Sequence, residues 1–122
     1  MAFGAATGML LGLWSFDGPF GVPEFLGAYD DTARRLVRLG HIACFGLAFI
    51  NLLLARELPS LALSPNLRRS ASRAMNFGNI ALPLTLFVAA ALPPAKYLMS
   101  LPAASILFAL VLTARGVRHE SA

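Results

Sequence analysis

Charge is what this 122-residue chain has least of: Asp, Glu, Lys and Arg together make up 13% of it, against 57% hydrophobic residues. A water-soluble domain of this size needs a largely polar surface, so that scarcity excludes an ordinary soluble globule. Acids are scarcer still. The six carboxylates, Asp17, Glu24, Asp30, Asp31, Glu57 and Glu120, all fall in loops or at the ends of apolar runs. Paired-carboxylate chemistry and a carboxylate inside a span are thereby excluded. Cys44 is the single cysteine, so no internal disulfide can form, and its apolar surroundings suit a small packing residue. The chain also has no repeat period, no low-complexity tract and no glycine motif of the nucleotide-binding kind. No Ser, His and Asp arrangement can be assembled, and Met9, Met75, Met99 and Cys44 show no ligand spacing around His41. The expectation is therefore a protein with no catalytic centre and no metal site.

What the chain has instead is apolar runs of membrane length. Residues 36–55, LVRLGHIACFGLAFINLLLA, contain no acid and one strong charge, Arg38. Twenty such residues at about 1.5 Å rise give roughly 30 Å, the thickness of a bilayer's hydrocarbon layer. Three further runs, 1–16, 74–92 and 97–114, complete the reading: one domain over residues 1–122, an all-α integral membrane bundle of four transmembrane helices with short connections. The first run has no basic n-region, which argues against a cleavable signal, and at roughly 24 Å of helical rise it is short for a span. Between the runs lie an interfacial loop, 17–31, dense in Gly and Pro, and a basic loop, 56–73. A polar tail, 115–122, is expected to fray.

The net charge of +4 comes from nine Arg and one Lys that flank apolar runs, without forming a basic face interleaved with aromatics. That placement suits lipid headgroups and topology, not nucleic acid. Six basic residues, Arg56, Arg68, Arg69, Arg73, Arg115 and Arg118, fall on one side of a four-span bundle, and Arg34, Arg35, Arg38 and Lys96 on the other. The excess places both termini and loop 56–73 in the cytoplasm, in an inner cell membrane. The cluster Arg68, Arg69 and Arg73 reads as a lipid-facing anchor. Asp30 with Arg34, and Asp31 with Arg35, stand four apart as a solvated charge cluster at the start of the second helix.

Inside the apolar runs sit groups that lipid solvates poorly. At about 100° per residue, His41, Cys44, Ala48, Asn51 and Ala55 share an arc of roughly 80°, as do Ser72, Asn76, Asn79, Pro83 and Ala90 on the next span. Two such stripes on sequential helices should face one another. His41, Asn51, Asn76 and Asn79 are thus expected to form a buried polar seam pointing into the bundle or into a contact with another protein. Gly4, Gly8 and Gly12 recur every four residues and clear one helix stripe for close backbone approach. Pro83 has no amide to give the carbonyl of Asn79, so a bend or a freed acceptor is expected there.

Taken together, these features point to a non-enzymatic structural, accessory or assembly subunit of a membrane complex. It would contact lipid and either copies of itself or another membrane protein. The alternative is a small transporter or cofactor-binding module centred on His41, as proton carrier or axial ligand of haem b. A membrane b-type haem takes two axial histidines, and the second histidine, His119, lies in the tail, so one chain cannot supply the pair. No resident cofactor is therefore expected.

Overall fold

The computed structural model of the chain describes residues 2–14 and 18–120, and of residues 118–120 the backbone alone. It is all-helical, with no strand among the described residues. Four α-helices run in sequence: α1 (Ala2–Leu13), α2 (Thr32–Glu57), α3 (Pro65–Ala91) and α4 (Ser100–Glu120). Short 3-10 segments lie at Glu24–Leu26 and Pro93–Met99. Three stretches are long and apolar enough to cross a membrane: Thr32–Glu57, Pro65–Ala91 and Pro93–Val117. By contrast α1, with 12 residues, rises only about 18 Å and is too short to cross alone; the ends of the expected span 1–16, at Met1, Ser15 and Phe16, lie outside the described residues.

The helices lie in chain order, α1 against α2, α2 against α3 and α3 against α4. Helix α3 is central, with 33% of its apolar window buried inside the chain against 11% for α2 and 17% for α4. Leu54 of α2, Met75 of α3 and Ala109 of α4 make a buried cluster, joined by Leu58, Ala74 and Ile106. Close approach of α3 and α4 depends on Gly78. A Cβ there would collide with Ile106 and come within 3.1 Å of the Pro102 carbonyl oxygen. One turn away, the Ser105 hydroxyl donates to the Ala74 carbonyl at 2.9 Å, a polar tie across the same contact.

Helix boundaries differ from the sequence reading where local chemistry extends a helix past its apolar run. Helix α3 starts at Pro65, so Arg68, Arg69 and Arg73 lie on its first turns and not in a loop. Pro65 suits the first helical position, and the Ser64 side chain accepts from the Leu67 amide. The Arg68 guanidinium turns back and donates to the Leu61 carbonyl at 2.7 Å, which ties the 58–64 connection to the helix. Arg69 and Arg73 stay exposed. The backbone of the expected frayed tail is helical as far as Glu120, and residues 121–122 lie outside the described residues. Pro83 is buried within α3, which is one continuous helix from Pro65 to Ala91.

Candidate functional site

The chemistry in this molecule is concentrated along the faces that α1, α2 and α3 turn to one another. Where α2 meets α3, the two run antiparallel in a register marked at both ends. At one end a Cβ on Gly40 would lie 2.9 Å from the tip of the Phe87 ring. At the other, the Asn51 Nδ2 donates to the Asn76 Oδ1 at 2.9 Å. Between them Cys44, Ala48, Asn79 and Pro83 line a cleft of about 290 Å³, roofed by Phe3 and Gly4 of α1 and flanked by Ile80 and Leu84. The Asn79 side chain has no hydrogen-bond partner among the described residues, and the proline four residues on withholds an amide from its backbone carbonyl as well.

His41 does not join that seam. It turns to α1, where the glycines let an imidazole lie against the helix. Its Nδ1 lies 2.8 Å from the Gly4 carbonyl oxygen; a carbonyl only accepts, so Nδ1 carries the proton. The Thr7 hydroxyl donates to the same carbonyl at 2.9 Å and lies 3.5 Å from Nδ1. A Cβ on Gly8 would collide with the ring's Cε1 and come within 3.1 Å of Nε2. Phe45 closes the other side edge to face, with ring centroids 5.3 Å apart. His41 thus acts as a clamp between two helices, and it lines neither the cleft beside Asn79 nor the one lined by Trp14, Phe25 and Phe87.

The glycine stripe divides in the same way. Gly4 and Gly8 carry the α1–α2 contact, with a Cβ on Gly4 falling 2.9 Å from the Cys44 Cβ, while among the described residues Gly12 has nothing within 4 Å of where its Cβ would be. Gly4 opposite Cys44 and Gly8 opposite His41 define an antiparallel register. On that register Ala2 comes level with Gly46. The Asn51–Asn76 pair lies beyond it, further along the groove than the described part of α1.

The consequence is exposure. Asn76 is exposed and Asn51 half-buried, and their hydrogen bond lies on the outer surface of the bundle. Both residues are inside the apolar segments, about one to one and a half helical turns inward of Arg73 and Arg56. The amides are therefore paired with each other but not enclosed. The pair leaves the Asn51 Oδ1 and the Asn76 Nδ2 unused, and the neighbouring Leu52, Phe77 and Ile80 are 63%, 48% and 63% exposed. A polar group left unmatched in hydrocarbon costs several kcal/mol.

Searched against protein-family models, curated proteins and solved structures, the chain matches none.

At the other end of α1 lies a second polar device, one that sequence reasoning missed. Arg34, read from sequence as part of a solvated charge cluster, is only 7% exposed. Its guanidinium donates to the Trp14 carbonyl at 2.6 Å, just past the last turn of α1. A cation there satisfies an orphan carbonyl and suits the negative end of the helix dipole. The Tyr29 ring lies under both Arg34 and Arg38, at 5.4 and 4.0 Å from the centroid. Arg35 reaches Asp30 at 3.7 Å instead of Asp31. Asp31 is occupied otherwise: its carboxylate accepts from the Ala28 amide at 2.7 Å and closes the turn at Gly27, whose φ is +60°. The only hint of Arg34's role in the sequence is its spacing from Arg38, which puts two cations on one helix face beside an aromatic.

Among the described residues no three His, Cys, Asp or Glu side chains gather where they could hold a metal ion.

Proposed function

We propose that this chain is a non-enzymatic structural or assembly subunit of a membrane complex, acting by packing its helices against other membrane-embedded protein. Three apolar helices make it compatible with a small membrane protein. The observation that supports the finer role is the Asn51–Asn76 pair, two amides on the outer surface of the bundle within apolar segments of spanning length. A neighbouring protein that brings a donor and an acceptor to that level would remove the penalty.

The 58–64 connection and the carboxyl end of α4 belong to one side of the membrane, because α2, α3 and α4 alternate in direction. By the basic excess at Arg56, Arg68, Arg69, Arg73 and Arg115 we assign that side to the cytoplasm of a cell with an inner membrane. A reporter fused after Ala122 that is active only in the cytoplasm should then be active.

The test of the role is affinity purification of the chain from its native membrane in a mild detergent, with identification of every protein that stays bound. A stoichiometric membrane-protein complex, of the chain with itself or with another subunit, is expected. Recovery as a lone, stable monomer would refute the reading.

A further inference from the structure

We infer that the uncovered end of the α2–α3 groove is the contact between two copies of this chain, with the Asn51–Asn76 pair on the two-fold axis. This rests on reading the chain as a subunit, and it names the partner.

One amide–amide hydrogen bond leaves one carbonyl oxygen and one NH2 group with capacity to spare, whichever way each amide is turned. Here the spare groups are the Asn51 Oδ1 and the Asn76 Nδ2. A two-fold axis along the membrane normal brings a second pair to the same depth. The Asn76 Nδ2 of each copy can then donate to the partner's Asn51, and the four amides close into a ring. An unrelated partner would have to carry a donor and an acceptor at this depth and in this order. A second copy carries both by symmetry.

The surroundings permit the approach. Ala55 lies a turn after Asn51 on α2, and Ser72 lies a turn before Asn76 on α3. Side chains this small let two helix pairs come together closely. The described part of α1, from Ala2, roofs the groove at Phe3 and Gly4 and not at this level. Leu52, Phe77 and Ile80, exposed around the pair, supply the apolar margin that a two-fold contact would cover.

The test is made on the full chain, labelled at its carboxyl end and reconstituted into phosphatidylcholine–phosphatidylglycerol vesicles, with energy transfer between copies followed as protein is diluted in lipid. A dimer is expected. Its dissociation constant should rise about tenfold in the Asn51→Leu/Asn76→Leu variant, the effect of losing two interhelical hydrogen bonds. It should stay unchanged in Leu107→Ala, on the exposed face of α4. A second measurement leaves the amides native: Ser72→Cys in a Cys44→Ala chain should cross-link to its own copy on oxidation, whereas Leu107→Cys in the same chain should not.

Monomers at every dilution, a dimer indifferent to loss of both amides, or no cross-link through position 72 would each overturn the inference. A chain that is monomeric in vesicles but leaves its native membrane bound to a different protein overturns this inference alone and leaves the subunit reading standing. A chain monomeric in both settings overturns both.

Discussion

The two halves of the groove between α2 and α3 have different surroundings. In one half, Gly40 receives the Phe87 ring, Phe3 of α1 packs edge to face on that ring with centroids 5.7 Å apart, and α1 lies over the top. In the other half, past the reach of α1, two asparagines hold each other on the outside of the bundle. The polar group belonging to the covered half, His41, found its acceptor on α1 because two glycines let it come within 2.8 Å of a backbone carbonyl. The asparagines had no such helix to turn to. What fixes the partner of a polar side chain in lipid is therefore which backbone can approach it, more than which polar side chain lies nearest in the helical projection.

That contrast can be broken most severely at Gly8. A β-branched side chain in place of Gly8 would occupy the space of the imidazole, and neither α1 nor the ring has room to give without parting the helices. Gly8→Val should cost about 1–3 kcal/mol, the usual range for overpacking a close contact. It should lower the thermal unfolding midpoint in detergent. The native Cys44 supplies a second readout, since it is the single thiol and lies against Gly4. Its labelling by N-ethylmaleimide should speed up several-fold once α1 lifts away. Unchanged labelling with unchanged stability would show that α1 does not depend on this contact.

A smaller effect tests the clamp's polar part. His41→Leu keeps most of the ring's bulk and removes the hydrogen bond to the Gly4 carbonyl, which still accepts from Thr7. Interhelical hydrogen bonds in membranes average roughly 0.6 kcal/mol with a maximum near 1.7, so a loss of about 1 kcal/mol is expected. Cys44 labelling should rise less than in Gly8→Val. The energy transfer that reports the second copy should not change, because His41 lies on the covered side. If His41→Leu abolished dimerisation while Asn51→Leu did not, the two halves would have exchanged roles.

Much of this was legible from residue order alone. Apolar run length and the positions of the charges give four apolar helices in succession, of which three are long enough to cross a membrane, and a seven-residue 3-10 connection between α3 and α4 keeps those two adjacent. The helical projection also put Asn51 and Asn76 on facing stripes. It could not show that His41 would leave that face, since projection treats a neighbour as a direction and not as a backbone at a distance. Nor could it show that Arg34 would be buried: a charge counts as solvated in a sequence until a carbonyl such as that of Trp14 is found within reach. The extent of α1's cover is set by register, Gly4 on Cys44 and Gly8 on His41, and register between helices leaves no trace in the periodicity of either one.

The glycine stripe gives the finest test of the same comparison, and the smallest expected change. Gly4, Gly8 and Gly12 are equivalent in sequence, four residues apart on one face, and any argument from spacing assigns them one role. In the structure a Cβ on Gly4 meets the Cys44 Cβ at 2.9 Å and the Phe45 ring at 3.1 Å, whereas a Cβ on Gly12 meets nothing within 4 Å among the described residues. Adding one methyl group therefore discriminates. Gly4→Ala should destabilise, because neither a Cβ on a neighbouring helix nor a ring packed on His41 can yield freely. Gly12→Ala should move stability by no more than about 0.5 kcal/mol, the usual limit for a substitution with no neighbour, and its better helix propensity favours a gain over a loss. Thermal unfolding of the two variants side by side decides the matter. A Gly12→Ala chain as damaged as Gly4→Ala would mean that something packs on that end of α1 too.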